Sequence, residues 1–226
     1  VPEVLEIKEP ALERISQVNE QAVIASTTST MLVTRLADFV HNPARFLNAH
    51  WLNPAYLIPL VEVSPGPATA RETAASLMTL LKRVGKRPVR CAARPGYIVP
   101  RLQAAAMNEA VRMVEEGVAS PAEIDEAVRV GFGIRYATMG LIEFIDWGGV
   151  DILYYASNYL KDALPDPRFE PPPVIAEMME NGRRGMREGQ GFYDFREMDV
   201  AAYQRDMLAR FVRLLSHMEL LAAPAD

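Results

Sequence analysis

The sequence is poor in the side chains that build disulfides and metal centres. Among its 226 residues it has one cysteine, Cys91, and three histidines. One cysteine excludes an internal disulfide, which is typical of proteins from a reducing compartment, and we expect the protein to be cytoplasmic. We predict no bound metal.

Long apolar runs and dense basic blocks are also missing. No apolar run approaches the length of a membrane span, and no charged-then-apolar leader opens the sequence. The formal net charge is -5, and the nearest basic cluster, Arg183, Arg184 and Arg187, has Glu180 and Glu188 beside it. These features argue against a membrane partner and against a nucleic-acid partner. With 50% hydrophobic and 23% charged residues, the chain is expected to form one large or two modest globular domains.

Short apolar segments in the first 94 residues predict the strands of a sheet. Runs at 22–26, 45–50, 58–63 and 88–91 predict strands, and helical periodicity predicts helices at 6–19 and from Thr69 to Val84. The pattern from 58 to 91 is strand, helix, strand, which is typical of a parallel sheet that binds ligands beyond the carboxyl ends of its strands. From Pro95 onward the pattern predicts helices only. We therefore predict an α/β domain over 1–94 and an all-helical domain over 95–226.

Turn and cap residues predict where several helices begin and end. Thr69 with Glu72, and Ser120 with Glu123, each have the spacing of a capping box. Gly148-Gly149 predicts a break within the apolar stretch 141–164. The last segment, 199–221, has an apolar stripe that predicts a helix whose face packs in the core or against a second subunit.

A hydroxyl, an imidazole and a carboxylate lie at three of the predicted strands. Ser29 follows the first strand, His50 ends the second, and Glu62 lies in the third. A histidine that moves protons needs a carboxylate on its far nitrogen, and a nearby hydroxyl steadies a substrate oxygen. These three residues are therefore candidates for a hydride-transfer site. Each residue also has an ordinary alternative. Ser29 would be a cap hydroxyl, His50 a structural histidine, and Glu62 an exposed carboxylate at a strand end.

Several motifs in register carry a resemblance to a known family. They are Ser26-Thr27-Thr28-Ser29, His50 with Asn53-Pro54, Leu60-Val61-Glu62-Val63, Pro95-Gly96-Tyr97-Ile98-Val99 with Arg101-Leu102, and Gly189-Gln190-Gly191-Phe192-Tyr193. From Val1 to Phe195 the chain resembles the L-3-hydroxyacyl-CoA dehydrogenases and their L-gulonate and carnitine dehydrogenase relatives.

The resemblance implies both a fold and a set of site residues. The fold is a partial Rossmann-type parallel sheet followed by an all-helical domain like the C-terminal domain of 6-phosphogluconate dehydrogenase, usually in a homodimer. His50 would be the general acid and base, Glu62 would orient it, and Ser29 would contact both the substrate and the NAD cofactor. The resemblance also implies that NAD is contacted by Glu3, Lys8 and Asn53, for which a surface ion pair and a turn asparagine are the ordinary alternatives.

The family carries a glycine-rich phosphate turn upstream of the position that corresponds to Val1. No Gly-x-Gly-x-x-Gly occurs in this chain. We therefore expect the chain to lack the first part of its Rossmann domain and to bind NAD weakly on its own.

Two positions depart from the family pattern. The family has Asn at the position of Thr27, and it has Asn at the position of Pro100, where the amide is expected to hydrogen-bond in the active site. Proline offers neither a polar side chain nor a backbone donor.

The segment from Gly131 to Tyr136 resembles the gulonate and carnitine branch, in which Arg135 would bind a substrate carboxylate. An ion pair between a helix and a loop is the ordinary alternative for Arg135.

From these observations we predict an NAD-dependent oxidoreductase that interconverts a short-chain L-3-hydroxyacyl-CoA, of the 3-hydroxybutyryl-CoA type, and its 3-ketoacyl-CoA. One alternative is a dehydrogenase of a carboxylated hydroxy compound such as gulonate or carnitine. Another is a dimeric scaffold without catalysis.

Overall fold

A computed structural model describes residues 1–164 and 166–221, and it divides the chain into two compact units. The first unit is Val1–Glu116, and the second begins at Gly117. Within the described ranges, no helix combines the length and the apolar character that crossing a bilayer requires.

The first unit is a four-stranded sheet with four helices. The strands are β1 (Ile24–Ser26), β2 (Phe46–Trp51), β3 (Leu60–Pro65) and β4 (Arg87–Arg90). The helices are α1 (Leu5–Val18), α2 (Val33–Ala37), α3 (Arg71–Arg83) and α4 (Val99–Glu115), with a 3₁₀ turn at Pro43–Arg45. The strands lie in the order β1-β2-β3-β4. All four predicted strands are present, with ends shifted by one or two residues.

The sheet is mostly parallel, with one antiparallel pair at its centre. The pairs β1–β2 and β3–β4 are parallel, and α3 makes the crossover between β3 and β4 that the sequence predicted. The pair β2–β3 is antiparallel, with His50 directly opposite Glu62. The connection 52–59 is shorter than the dozen or so residues that a parallel crossover needs, so the chain turns straight back. The predicted Rossmann-type sheet is confirmed as mostly parallel, and this pair is the exception.

The two faces of the central strands differ in chemistry. Leu47, Ala49, Val61 and Val63 pack with Ala74 and Leu81 of α3 into one apolar cluster. Because side chains alternate along a strand, the residues between them face the other way. On that opposite face Phe46 packs with Leu12, Ile24 and Leu36, while Asn48, His50, Glu62 and Ser64 form a buried polar row. The sheet therefore has one apolar face and one face that carries the polar groups of the site.

The capping box predicted at Thr69 is wrong. The helix α3 begins after Ala70 and has no side-chain cap. The Thr69 hydroxyl instead donates to the carbonyl of Phe46 at 2.6 Å and accepts from the amide of Gly66 at 2.8 Å. Those bonds tie the loop after β3 to the start of β2, and this tertiary role competes with the local cap.

The second unit is built from helices, as the sequence predicted. Its helices are α5 (Pro121–Ala127), α6 (Gly133–Tyr136), α7 (Leu141–Gly148), α8 (Val150–Ala163), α9 (Pro173–Glu180) and α10 (Val200–His217), with a π-helical turn at Val128–Phe132 and 3₁₀ turns at Pro167–Phe169 and Met186–Glu188. The capping box of Ser120 with Glu123 is confirmed at α5. Gly149, with φ of +110°, breaks the apolar stretch between α7 and α8.

A buried aspartate in α7 holds the loop 189–193. The carboxylate of Asp146 is 1% exposed and accepts from the amides of Phe192 (3.0 Å) and Tyr193 (2.8 Å). A Cβ atom at Gly191 would overlap this carboxylate, and one at Gly185 would overlap the Asp146 carbonyl. Gly191 in this loop and Gly185 just before it are therefore required by the close approach of Asp146.

Candidate active site

His50 and Glu62 form a buried pair across the two antiparallel strands. The imidazole Nδ1 lies 2.7 Å from Glu62 Oε2, and the two residues are 4% and 0% exposed. This contact selects the tautomer that has its proton on Nδ1, because the carboxylate accepts it. The imidazole has no second hydrogen bond to the described residues, so Nε2 is the nitrogen left to exchange a proton.

The second oxygen of Glu62 binds the start of α4. Glu62 Oε1 accepts from the amides of Ile98 and Val99, both at 2.9 Å. The first amides of a helix have no partner within the helix, and a negative charge there is favoured by the helix dipole. The buried carboxylate thus has a partner on each oxygen, which offsets the free-energy cost of its burial.

Tyr97 lies flat against the imidazole of His50. The two ring centroids are 4.9 Å apart and the ring planes differ by 3°. The Tyr97 hydroxyl donates to the carbonyl of Thr28 at 2.9 Å and accepts from Asn48 Nδ2 at 3.0 Å. Burial raises the pKa of Tyr97 to about 12, although the Asn48 hydrogen bond acts in the opposite direction. The phenol therefore keeps its proton and remains a donor at neutral pH.

Ser29 lies in a loop after β1 that Glu3 organises. One oxygen of Glu3 accepts from the hydroxyls of Thr28 and Thr30 and from the amides of Ser29 (3.1 Å) and Thr30 (3.2 Å). Ser29 is exposed, and its hydroxyl has no hydrogen bond to any described residue. The loop meets the histidine through Tyr97, since the carbonyl of Thr28 accepts from the phenol.

The other predicted contact residues lie in different surroundings. Lys8 is buried on α1 and pairs with Glu3 Oε2 at 3.1 Å, so the ordinary alternative of a fully solvated pair is wrong for it. Asn53 is exposed in the connection between β2 and β3. Arg135 lies in the second unit, where its guanidinium carbon is 5.7 Å from the centre of the Phe144 ring.

Pro100 occupies the first turn of α4. Amides in that turn have no partner within the helix, so a proline is tolerated there. The backbone accommodates the departure from the family pattern, but position 100 supplies no polar side chain.

Asn48 and Tyr97 were not assigned a role by the sequence analysis. Asn48 could have been found from the alternation along β2, because Asn48 and His50 are polar while Leu47 and Ala49 are apolar. Tyr97 lies in one of the motifs that carry the family resemblance, but no alternation gives it a role, because it reaches the site through a turn rather than along a strand. Within the described residues no group of three or more His, Cys, Asp or Glu side chains is arranged to hold a metal ion.

These observations define a class of proteins. Its members combine a Rossmann-like nucleotide-binding domain, which carries a buried His–Glu pair, with a helical domain that follows it. Residues 1–94 match the model of the NAD binding domain of 3-hydroxyacyl-CoA dehydrogenase, and residues 96–195 match that of its C-terminal domain. The chain belongs to the 3-hydroxyacyl-CoA dehydrogenase family.

Named relatives and a solved structure agree with this membership. The chain is 33% identical to a probable 3-hydroxybutyryl-CoA dehydrogenase of Deinococcus radiodurans, over 84% of this chain and 68% of the relative. It is 30% identical to the 5-formyl-3-hydroxy-2-methylpyridine 4-carboxylate 5-dehydrogenase of Mesorhizobium japonicum, over 97% of this chain and 71% of the relative. The crystal structure of a 3-hydroxyacyl-CoA dehydrogenase from Archaeoglobus fulgidus matches with a TM-score of 0.85 and 32% identity, over 98% of this chain and 76% of that chain.

The chain spans only part of the length of several relatives. It covers 60% of a Bacillus subtilis relative and 62% of a Sus scrofa relative.

Proposed function

We propose that the protein is an NAD-dependent oxidoreductase that interconverts a short-chain L-3-hydroxyacyl-CoA and its 3-ketoacyl-CoA. The observation that carries the proposal is the buried contact of 2.7 Å between His50 Nδ1 and Glu62 Oε2. The names of the relatives, which include 3-hydroxybutyryl-CoA dehydrogenase, support this substrate class.

The pair can perform acid–base catalysis at a substrate oxygen. With its Nδ1 proton bound by Glu62, His50 can accept the hydroxyl proton at Nε2 during alcohol oxidation. The negative Glu62 then stabilises the imidazolium, and the same proton returns to the carbonyl oxygen in the reverse reaction. We assign His50 as the general acid and base, and Glu62 as the residue that orients it.

The residues present fit the nicotinamide end of NAD. Ser29 offers an unpartnered hydroxyl and Asn53 an exposed amide, which together supply the donors and acceptors that a carboxamide needs. The chemistry that NAD supplies when bound is hydride transfer. We propose Ser29 and Asn53 as contacts of this group, with Ser29 also touching the substrate oxygen. Glu3 and Lys8 would shape the loop of Ser29 and complete the cofactor contacts.

We also propose a domain division and an assembly. Residues 1–94 would be the later part of the NAD-binding domain, and residues 95–226 would form the substrate and dimerisation domain, as the two family matches support.

The single cysteine supports a cytoplasmic location. A homodimer is supported by an exposed apolar stripe on α8, which consists of Ile152, Tyr155 and Tyr159.

A second candidate is a dehydrogenase of a carboxylated hydroxy compound. Arg135 lines an apolar cavity of about 150 Å³ together with Phe144, Trp147 and Phe211. An arginine at an apolar cavity suits a substrate that has both a carboxylate and an apolar part. The Mesorhizobium japonicum relative, whose name includes a carboxylate, matches over 97% of this chain.

Kinetics with matched histidine variants test the function. The full-length protein should oxidise NADH with acetoacetyl-CoA faster than it acts on gulonate or carnitine. His50→Gln should lower kcat by about 1000-fold and Glu62→Gln by about 10- to 100-fold, with KM for NADH nearly unchanged. His217→Gln, which changes an exposed histidine at the end of α10, is the control and should be neutral.

The alternatives predict different results. Faster turnover of gulonate or carnitine than of the CoA substrate would favour the second candidate. Absence of turnover with every substrate would favour a scaffold. A normal kcat in His50→Gln would contradict the assignment of His50 as the general acid and base.

A further inference from the structure

Two contacts restrain the imidazole of His50 in different directions. The hydrogen bond from Nδ1 to Glu62 lies in the plane of the ring and fixes one edge of it. A bond at one edge leaves the ring free to tilt out of its plane. Tyr97 covers a face of the imidazole, with centroids 4.9 Å apart and planes 3° apart, and so blocks that tilt. Together the two contacts determine the direction in which Nε2 points.

The Tyr97 ring is itself held by a defined set of hydrogen bonds. Its hydroxyl donates to the Thr28 carbonyl at 2.9 Å and accepts from Asn48 Nδ2 at 3.0 Å. Asn48 is 1% exposed, and its Nδ2 also donates to the carbonyl of Met31 at 3.0 Å. The Met31 carbonyl determines how the amide is oriented, because the rotated amide would bring two acceptor oxygens together.

The backbone of Tyr97 is in an unfavourable conformation. Its φ is +45°, in the left-handed region that few bulky residues adopt, and Gly96 before it has φ of +77°. Such a conformation persists where the surrounding contacts enforce it, and it is frequent at functional sites. The stack on His50, the two hydroxyl bonds, and the bonds from the Ile98 and Val99 amides to Glu62 all hold this segment in place.

We propose that Tyr97 is a positioning residue for His50, and that Asn48 keeps Tyr97 in place. The proposal rests on the proposed function, because the direction of Nε2 matters for proton transfer to a substrate oxygen. Tyr97 also joins the histidine to the loop of Ser29 through the Thr28 carbonyl. One phenol thereby aligns the two groups that would face the substrate oxygen.

Three variants of the full-length protein separate the stack from its anchor. Tyr97→Phe keeps the ring and removes both hydroxyl bonds, and it should lower kcat by about 3- to 10-fold. Tyr97→Leu removes the stack as well and should lower kcat by about 100-fold, the size of effect that a misplaced catalytic group produces. KM for both substrates should change less than about twofold.

Asn48→Ala tests the anchor from the other side. It should resemble Tyr97→Phe. The double variant with Tyr97→Phe should lose less than the product of the two single effects, because both changes break the bond between Asn48 and the Tyr97 hydroxyl. Tyr193→Phe makes the same chemical change at an exposed tyrosine of the second unit and serves as the control. Rates are compared per folded molecule, with the folded fraction measured by circular dichroism.

A measurement without substrate distinguishes this proposal from the proposed function. The ring protons of His50, assigned with His50→Gln, should show an upfield ring-current shift in NMR spectra. That shift should remain in Tyr97→Phe and disappear in Tyr97→Leu, while the signals of His41 and His217 stay in place.

The outcomes decide the proposal in each case. Unchanged kcat in Tyr97→Leu and Asn48→Ala, or His50 resonances that do not move, would overturn it. If Tyr97→Leu does not fold, Tyr97→Phe and Asn48→Ala decide, since equal rates to wild type contradict the proposal. If the wild type turns over no substrate, the proposed function fails, and the ring-current comparison alone decides whether Tyr97 holds the imidazole.

Discussion

Glu3 illustrates how one carboxylate can order a loop. It accepts four hydrogen bonds from 28–30 and pairs with Lys8. Burial alone would raise the pKa of Glu3, but the hydrogen bonds from Thr28, Lys8 and Thr30 outweigh it and lower the pKa to about 2. The ionised carboxylate is therefore the form that the folded loop requires.

This shift predicts a pH-dependent contribution to stability. Since the pKa of Glu3 is lower in the folded state than its ordinary 4.5, its contribution is complete above about pH 4.5 and is lost as the pH falls towards 2. Glu3 is partly exposed, so solvent screening keeps the contribution small. Urea unfolding of the wild type and of Glu3→Gln should show a stability difference at pH 6 that shrinks towards pH 2.5. A difference that is independent of pH would contradict this role.

The pair of His50 and Glu62 could be predicted from the sequence, but the other partners of these two residues could not. The order and spacing of Ser29, His50 and Glu62 identified a histidine and its carboxylate, and the structure confirms their contact at 2.7 Å. The roles of Ser29, Asn53 and Arg135 stay predictions. Tyr97 contacts His50 across a long sequence separation. The bonds from the Ile98 and Val99 amides to Glu62 also join residues that are far apart in the sequence. Contacts of that kind depend on the tertiary fold and leave no local pattern.

The helices and strands were predictable to the extent that their signals are local. The capping box of Ser120 with Glu123 is confirmed, and among the described residues no other group bonds to these two side chains. The same pattern at Thr69 failed because the Phe46 carbonyl and the Gly66 amide take its hydroxyl. The reversal between β2 and β3 could have been inferred from the short connection 52–59.

The loop 189–193 gives a sharp prediction about a single added methyl group. In Gly191→Ala the new Cβ would overlap the Asp146 carboxylate, which already binds the amides of Phe192 and Tyr193. We expect the free energy of unfolding to fall by about 2–3 kcal/mol. In the control Gly148→Ala the new Cβ meets no atom within 4 Å, and the change should stay within about 0.5 kcal/mol.

Chemical denaturation of the two alanine variants measures both values. If Gly191→Ala is as stable as Gly148→Ala, the loop is not held closely against Asp146. Asp146→Asn in the wild-type loop is a useful further comparison, since an amide keeps one acceptor oxygen for these backbone donors.

The surface of the second unit bears on how copies of the chain assemble. Ile152, Tyr155 and Tyr159 on α8 are 62%, 64% and 71% exposed, and their spacing places them on one face of the helix. We expect the wild type to elute as a species of twice the 25.1 kDa chain mass. The variant Tyr155→Lys with Tyr159→Lys should elute as a monomer, because two charges would be buried in the contact.

Size-exclusion chromatography with light scattering provides the measurement. Tyr56→Lys changes a tyrosine that is 83% exposed in the first unit, and it should leave the mass unchanged. A dimer that survives both lysines would place the contact on another surface.

Glu62 has a consequence that reaches beyond the imidazole. Because its two oxygens bind His50 and the amides of Ile98 and Val99, a substitution that removes the carboxylate frees the histidine and the start of α4 together. Hydrogen–deuterium exchange at those two backbone positions therefore reports whether the Glu62 carboxylate is in place, and it can be read when no reaction is taking place.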